Sequence, residues 1–160
     1  RRMKELVLIR IDDRLIHGQV VTSWVGHTGA TEVLIIDDPI SKDNFLQRLL
    51  KAAAPEGIKV QVLNTEDAIS YLLEEQKGQE KIMVLVKTPD YIEAMLDGGI
   101  AFSKVILGGM GAKEGRKRFN RNVSASHEEL DTLKRIRQRD VEIYYQLVPG
   151  QRAEDIQKMI

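Results

Sequence analysis
The chain has 160 residues, its 24 acidic residues balance its 24 basic ones, and it has no cysteine. Balanced charge argues against a nucleic-acid-binding protein, and the lack of cysteine excludes disulfides, thiol nucleophiles and thiolate metal sites. No apolar run approaches the roughly 20 residues that span a bilayer. We therefore expect a cytoplasmic protein with residues 1–160 in one domain.

Apolar runs and amphipathic segments alternate along the chain. The runs that predict strands are Leu6–Ile11, Glu32–Ile36, Ile58–Leu63, Lys81–Val86, Lys104–Leu107 and Val141–Val148. Helices are predicted between them, beginning near Gly18 and after caps at Ser41, Asn64 or Thr65, Thr88 and Ser126, with a terminal helix over 153–160. This alternation predicts an α/β fold with a mainly parallel sheet and helices on both faces.

The first strand ends in the charged residues Asp12, Asp13 and Arg14, followed by His17 at the predicted start of a helix. Open α/β sheets bind ligands beyond the carboxyl ends of their strands. A histidine has an ordinary pKa of about 6.5, so a neutral, nucleophilic ring is accessible near neutral pH. The guanidinium of Arg14 suits phosphate oxygens, and either aspartate could orient the ring by accepting its second N–H. These groups suit a histidine that accepts and passes on a phosphoryl group.

A glycine-rich loop, 108–116, follows the fifth predicted strand and leads into several basic residues. If the first and fifth strands are neighbours, His17 would face this loop. The glycines also suit a simple turn, the cations a solvated face, and Asp13 with Arg14 a local ion pair. The loop lacks the Walker pattern, so it does not predict a nucleotide site.

The string Arg10-Ile11-Asp12-Asp13-Arg14-Leu15-Ile16-His17-Gly18-Gln19-Val20 closely resembles the active-site signature of one family. That family is the IIB component of the mannose/fructose/sorbose branch of the bacterial phosphoenolpyruvate-dependent sugar phosphotransferase system. Supporting matches are Lys87-Thr88-Pro89, Gly108-Gly109-Met110 with Glu114-Gly115-Arg116, Asn122-Val123-Ser124 and Gln146-Leu147-Val148-Pro149. The resemblance implies about seven strands and a separate IIB subunit.

The resemblance also implies a protein phosphohistidine–sugar phosphotransferase that needs no metal or cofactor. His17 would take a phosphoryl group on Nδ1 from a IIA partner and pass it to a hexose held by membrane IIC and IID partners, with which the chain would associate peripherally. Arg14 would support the phosphoryl group, and a second loop would contribute Gly109 and Met110. Asp12 and Asp13 lie in the matching string, but their expected role in orienting the ring is inferred from the residues alone. We further expect Lys113, Arg116 and Lys117 to help dock IIA.

Two other functions remain open from the residues. One is a metal-dependent phosphatase using Asp12 or Asp13, although no Asp-x-Asp string ends the first strand. The other is a regulatory module of the same fold in which His17 is a signal. The sugar is open among mannose, fructose, sorbose, glucose and amino sugars, and a homo-oligomer is open as well.

Overall fold
Strands and helices alternate through residues 2–159, the range that the computed structural model describes; Arg1 and Ile160, the ends of the expected domain, lie outside it. The strands in that range are β1 Glu5–Asp12, β2 Glu32–Ile36, β3 Lys59–Leu63, β4 Lys81–Val86, β5 Lys104–Gly109, β6 Lys117–Arg118, β7 Ser124–Ala125, β8 Glu142–Tyr145 and β9 Glu154–Asp155. The α-helices are α1 Gly18–Thr28, α2 Asn44–Ala53, α3 Thr65–Leu73, α4 Asp90–Asp97 and α5 His127–Arg137, and short 3-10 turns cover Ile40–Lys42 and Ile156–Lys158.

Seven strands form one sheet in the order β3-β2-β4-β1-β5-β8-β9. All its pairings are parallel except β8 with β9, which is antiparallel. The apolar runs of β2 and β4 are buried because helices cover both faces of the sheet, which separates two apolar cores. The predicted α/β class, the mainly parallel sheet and the seven strands are confirmed.

Two of the predicted helix caps are confirmed and two are wrong. Asn64 caps α3, and Ser126 forms a full capping box at α5. Ser41 instead lies in a 3-10 turn, and the carboxylate of Asp43 caps α2 by accepting a 3.0 Å hydrogen bond from the amide of Leu46. Pro39 flanks the start of that 3-10 turn, and α2 therefore begins only at Asn44. The helix α4 likewise begins one residue later than predicted, with Pro89 rather than Thr88 as the flanking residue.

The terminal helix predicted over 153–160 is wrong within the described residues. Glu154 and Asp155 pair with Tyr145 and Tyr144 of β8, and a single 3-10 turn follows. The pairing gives the edge of β8 a hydrogen-bonding partner, which outweighs the weak helical pattern of so short a segment. The hairpin of β6 and β7 between the glycine-rich loop and α5 was not predicted.

The strand β1 lies between β4 and β5, so its carboxyl end opens near the middle of the sheet edge. Asp12 stands opposite Gly109 of β5, at a register irregularity that follows Ile11. The first strand exit and the glycine-rich loop are therefore neighbours, as the site prediction required. None of the helices between residues 2 and 159 combines the length and the apolar composition that a membrane span requires.

Candidate functional site
A tight turn carries the chain from β1 into α1 and ends at His17. The amide of Leu15 donates to the carbonyl of Asp12 at 2.9 Å, and Leu15 adopts a left-handed backbone with φ of 57°. His17 is the extended residue that flanks α1, and its side chain does not cap the helix. The imidazole is 23% exposed, and the first amides of α1 carry the positive end of the helix dipole beside it. The histidine is thus reachable and lies where an anion is stabilised.

The carboxylate of Asp12 is fully buried and joins three cationic or polar side chains. Its Oδ1 accepts from the backbone amide of Arg14 at 3.1 Å and from Arg14 Nε at 2.9 Å. Its Oδ2 accepts from Arg14 Nη2 at 2.9 Å and from Arg10 Nη2 at 3.3 Å. The same oxygen lies 3.2 Å from Nε2 of His17. Asp12 therefore fixes the positions of Arg14 and His17 relative to each other.

The charge of Asp12 determines which ring nitrogen of His17 carries the proton. Burial alone raises the pKa of Asp12, but the hydrogen bonds from Arg14 and the positive charge of Arg10 outweigh it and lower that pKa. The ionised carboxylate can only accept, so Nε2 must be the protonated nitrogen of a neutral ring. Nδ1 is left with the lone pair, which makes it the nucleophilic atom.

Arg10 is a component of the site that the sequence reasoning did not single out. Its guanidinium is buried beneath Asp12, and its Nη1 and Nη2 donate to the carbonyls of Gln146 and Leu147 at 2.8 Å and 3.0 Å. The indole N–H of Trp24 in α1 donates to the Leu147 carbonyl at 2.9 Å. The Arg10 guanidinium lies over the same indole ring, with its Cζ 5.4 Å from the ring centroid. Burial lowers the pKa of Arg10, although its charge is partly balanced by Asp12. The sequence did contain a signal for the role of Arg10, because an arginine inside an apolar strand needs a buried partner.

The glycine-rich loop contacts the turn through Asp13 and Arg14. The amide of Asp13 donates to the Gly109 carbonyl at 3.1 Å, and the Gly111 amide donates to Asp13 Oδ2 at 2.7 Å. A Cβ on Gly109 would lie 2.9 Å from Arg14 Nη2, so glycine makes room for the guanidinium. Asp13 therefore holds the loop, and Asp12, rather than Asp13, is the aspartate that contacts His17.

Met110 does not reach the site, which corrects its expected place in phosphate binding. Its side chain is fully buried in the core, its amide donates to Asn122, and its carbonyl accepts from Ser124. Only Gly109 of the expected pair faces the site residues.

Arg116 also departs from its expected role in docking. Its side chain is only 2% exposed, because Nε and Nη2 donate to Glu129 at 2.9 Å and 2.8 Å while Nη1 donates to Asp13 and the Gly111 carbonyl. These contacts outweigh the effect of burial and raise the pKa of Arg116. The guanidinium thus links the loop to α5 and to the turn after β1, while Lys113 and Lys117 are exposed.

The surroundings of Asp12 and Asp13 do not resemble a metal centre. No group of three or more metal-ligating side chains occurs within residues 2–159. Both oxygens of Asp12 are directed at arginine N–H groups, and Arg116 and a backbone amide bind Asp13. The donor set suits an anion positioned by cations and amides.

The chain is similar in sequence and in fold to components of the phosphotransferase system. The family model for the sorbose-subfamily IIB component of the phosphotransferase system matches residues 6–160. The sorbose-specific EIIB component of Lacticaseibacillus casei is 32% identical over 151 residues, covering 94% of this chain and 92% of the relative. The mannose-specific EIIAB component of Escherichia coli K12 is 31% identical over 136 residues, covering 85% of this chain, which spans only 42% of that longer relative.

Solved structures agree with the sequence comparison. The crystal structure of the IIBSor domain of the sorbose permease from Klebsiella pneumoniae matches with a TM-score of 0.92 at 29% identity, covering 97% of this chain and 95% of that one. These findings support neither the phosphatase nor the regulatory alternative. Because the family model matches nearly all of its length and the fold agrees, the chain belongs to the sorbose-subfamily IIB components of the bacterial sugar phosphotransferase system.

Proposed function
We propose that the protein carries a phosphoryl group on Nδ1 of His17, between a phosphorylated IIA component and a sugar held by membrane IIC and IID components. The observation that carries this proposal is the 3.2 Å contact of Nε2 with the buried, ionised Asp12, which leaves the lone pair on Nδ1. Residues 1–160 would act as one IIB unit, associated peripherally with the membrane components.

The charged groups around His17 stabilise the first transfer, from the IIA donor to Nδ1. As the bond from Nδ1 to phosphorus forms, the nitrogen–phosphorus bond of the donor histidine breaks, and the ring of His17 gains positive charge. The carboxylate of Asp12 stabilises that charge through Nε2. The guanidinium of Arg14 is planar and uses Nε and Nη2 for Asp12, so Nη1 on its opposite edge remains for the phosphoryl oxygens. The first amides of α1 add further positive potential.

The second transfer reverses the charge on the ring. A sugar hydroxyl attacks phosphorus, the bond from phosphorus to Nδ1 breaks, and His17 returns to its neutral form with the proton on Nε2. The hydroxyl proton leaves to a base on the acceptor side. In the proposed transfer, positioned cations and amides neutralise the moving group.

Labelling with radioactive phosphoenolpyruvate, the general phosphotransfer proteins and a IIA component tests the proposal. Acid-labile phosphate should appear on wild type and on His27→Ala, a matched control in the last turn of α1, but not on His17→Ala. Phosphorus–nitrogen NMR couplings should place the phosphoryl group on Nδ1. Label on His17→Ala, or attachment at Nε2, would contradict the proposal.

A further inference from the structure
The helix α2 exposes apolar side chains that an amphipathic helix would ordinarily bury. None of its ten residues is fully buried. Phe45 is 60% exposed and Leu49, one turn later, is 50% exposed, with Leu46 beside them. Single exposed apolar residues are common, but a contiguous set on one helix face marks a surface that something covers. We call Phe45, Leu46 and Leu49 the α2 stripe.

The α2 stripe borders the turn that ends at His17. A depression of about 370 Å³ lies between α2 and this turn. Its walls are formed on one side by Leu46 and Leu49 and on the other by Arg14 and Ile16. A protein seated on the stripe therefore also reaches the turn that carries Arg14 and leads into His17.

The stripe has a basic border. Arg48 and Lys51 lie on α2 itself, Lys42 lies in the preceding turn, and Lys87 and Arg14 line the depression. The helix contains no acidic residue; Asp43 before it accepts the capping hydrogen bond from Leu46, and Asp13, which lines the depression, is paired with Arg116. No ion pair within residues 2–159 includes Lys42, Arg48 or Lys51. A partner with an apolar contact surrounded by acidic residues is complementary to this border.

The charge also discriminates between possible occupants. A second copy of the chain, related by a twofold axis, would place the basic borders against each other, and like charges disfavour such a contact. A phosphorylated donor brings negative charge that the border attracts. Once the phosphoryl group has moved to His17, the donor is neutral at its histidine and the border is partly compensated, so release is favoured.

We propose that the α2 stripe is the docking surface for the phosphorylated IIA donor, which would contribute an apolar contact ringed by acidic side chains. This inference rests on the proposed carrier function. The chemistry occurs at the turn, and α2 supplies the contact that holds the donor histidine in line with Nδ1.

The test compares a protein donor with a small one. In the Phe45→Gln/Leu49→Gln double variant, kcat/KM for transfer from 32P-labelled phospho-IIA should fall roughly tenfold or more, as for truncated interface anchors. Met3→Gln, a matched change of a 48% exposed residue at the opposite end of β1, should leave this rate unchanged. Charging of His17 by phosphoramidate, which needs no docking, should be the same in all three proteins.

A second variant tests the basic border. Arg48→Glu/Lys51→Glu should slow transfer from phospho-IIA most at low salt and flatten its dependence on ionic strength. Phosphoramidate charging should again be unchanged, because neither residue belongs to the turn.

Other outcomes overturn the assignment in distinguishable ways. Normal transfer from phospho-IIA to the stripe variant refutes donor docking. If that normal transfer is joined by slower sugar phosphorylation in vesicles containing IIC and IID, the stripe contacts the membrane partners instead. If transfer is normal but sedimentation shows a dimer for wild type and a monomer for the stripe variant, the stripe binds a second copy of the chain. Failure of wild type to be charged by phospho-IIA refutes the carrier function itself, and the docking inference with it.

Discussion
Replacing Gly109 by alanine tests whether the position of Arg14 controls the rate of charging. The added Cβ would lie 2.9 Å from Arg14 Nη2 and 3.3 Å from Asp12 Oδ1, where ordinary contacts begin at 3.4 Å. The guanidinium must therefore move by about half an ångström away from Gly109, which displaces it from its present position beside Asp12. A misplacement of 1 Å can cost about a hundredfold in rate, so we expect a loss of roughly tenfold.

The fold should tolerate this change. The crowded atom is the far end of a partly exposed side chain, and the backbone of Gly109 is not in the left-handed region. We expect the free energy of unfolding to change by less than about 1 kcal/mol. The initial rate of charging by phosphoramidate, measured beside thermal unfolding, separates the two effects.

Gly111→Ala is the matched control in the same loop. Its Cβ would lie 3.5 Å from Asp13 Oδ2, an ordinary contact, so charging should remain near the wild-type rate. Wild-type charging by Gly109→Ala, or an equal loss in Gly111→Ala, would refute the reasoning that the guanidinium is held in a fixed place.

Three further predictions concern the buried charges. Asp12→Asn should lower the free energy of unfolding by about 3–5 kcal/mol, because Arg10 loses its buried counter-charge. The NMR shifts of the ring nitrogens should also show a mixture of His17 tautomers; unchanged stability and an unchanged tautomer would contradict this prediction. Arg116→Gln should cost about 2–4 kcal/mol in chemical denaturation, since Glu129 keeps a largely buried charge without its bidentate partner, whereas an unaltered midpoint would show that this link is dispensable. The pKa values of Asp12 and Glu129 are lower in the folded protein than in the unfolded chain, where they are roughly 4. Their stabilising effect is therefore present above the unfolded pKa values and is lost as the pH falls through the folded ones. The free energy of unfolding, measured from pH 7 to pH 3, should show this loss, and the loss should be smaller in Arg116→Gln; a flat profile would contradict it.

The sequence predicted the parts of the site that are close together along the chain. An apolar run followed by charged residues and a helix start was enough to locate Asp12, Arg14 and His17 at a strand exit. The neighbouring loop was also predicted, because parallel strands open at the same edge.

The contacts that support these residues join distant parts of the chain, so no local pattern announces them. Arg116 looked like one cation among several, yet its partner Glu129 comes from α5 and turns it inward. Arg10 reaches carbonyls at 146 and 147, and Met110 is drawn into the core by its pairing with Asn122. Ser41 was predicted as a helix cap, but it lies in a 3-10 turn and Asp43 caps the helix instead. The last segment was predicted as a helix, but it pairs with β8, a partner that the local sequence does not indicate.

The buried guanidinium of Arg10 has a consequence for biosynthesis. Its carbonyl acceptors are 136 and 137 residues further along the polypeptide. A nascent chain that has emerged only as far as α5 contains the entire turn with His17, but it lacks the carbonyls that accept hydrogen bonds from the cation under Asp12. Ribosome-stalled chains that end before residue 146 should therefore resist phosphorylation, so that incomplete translation products do not compete with finished molecules for the donor.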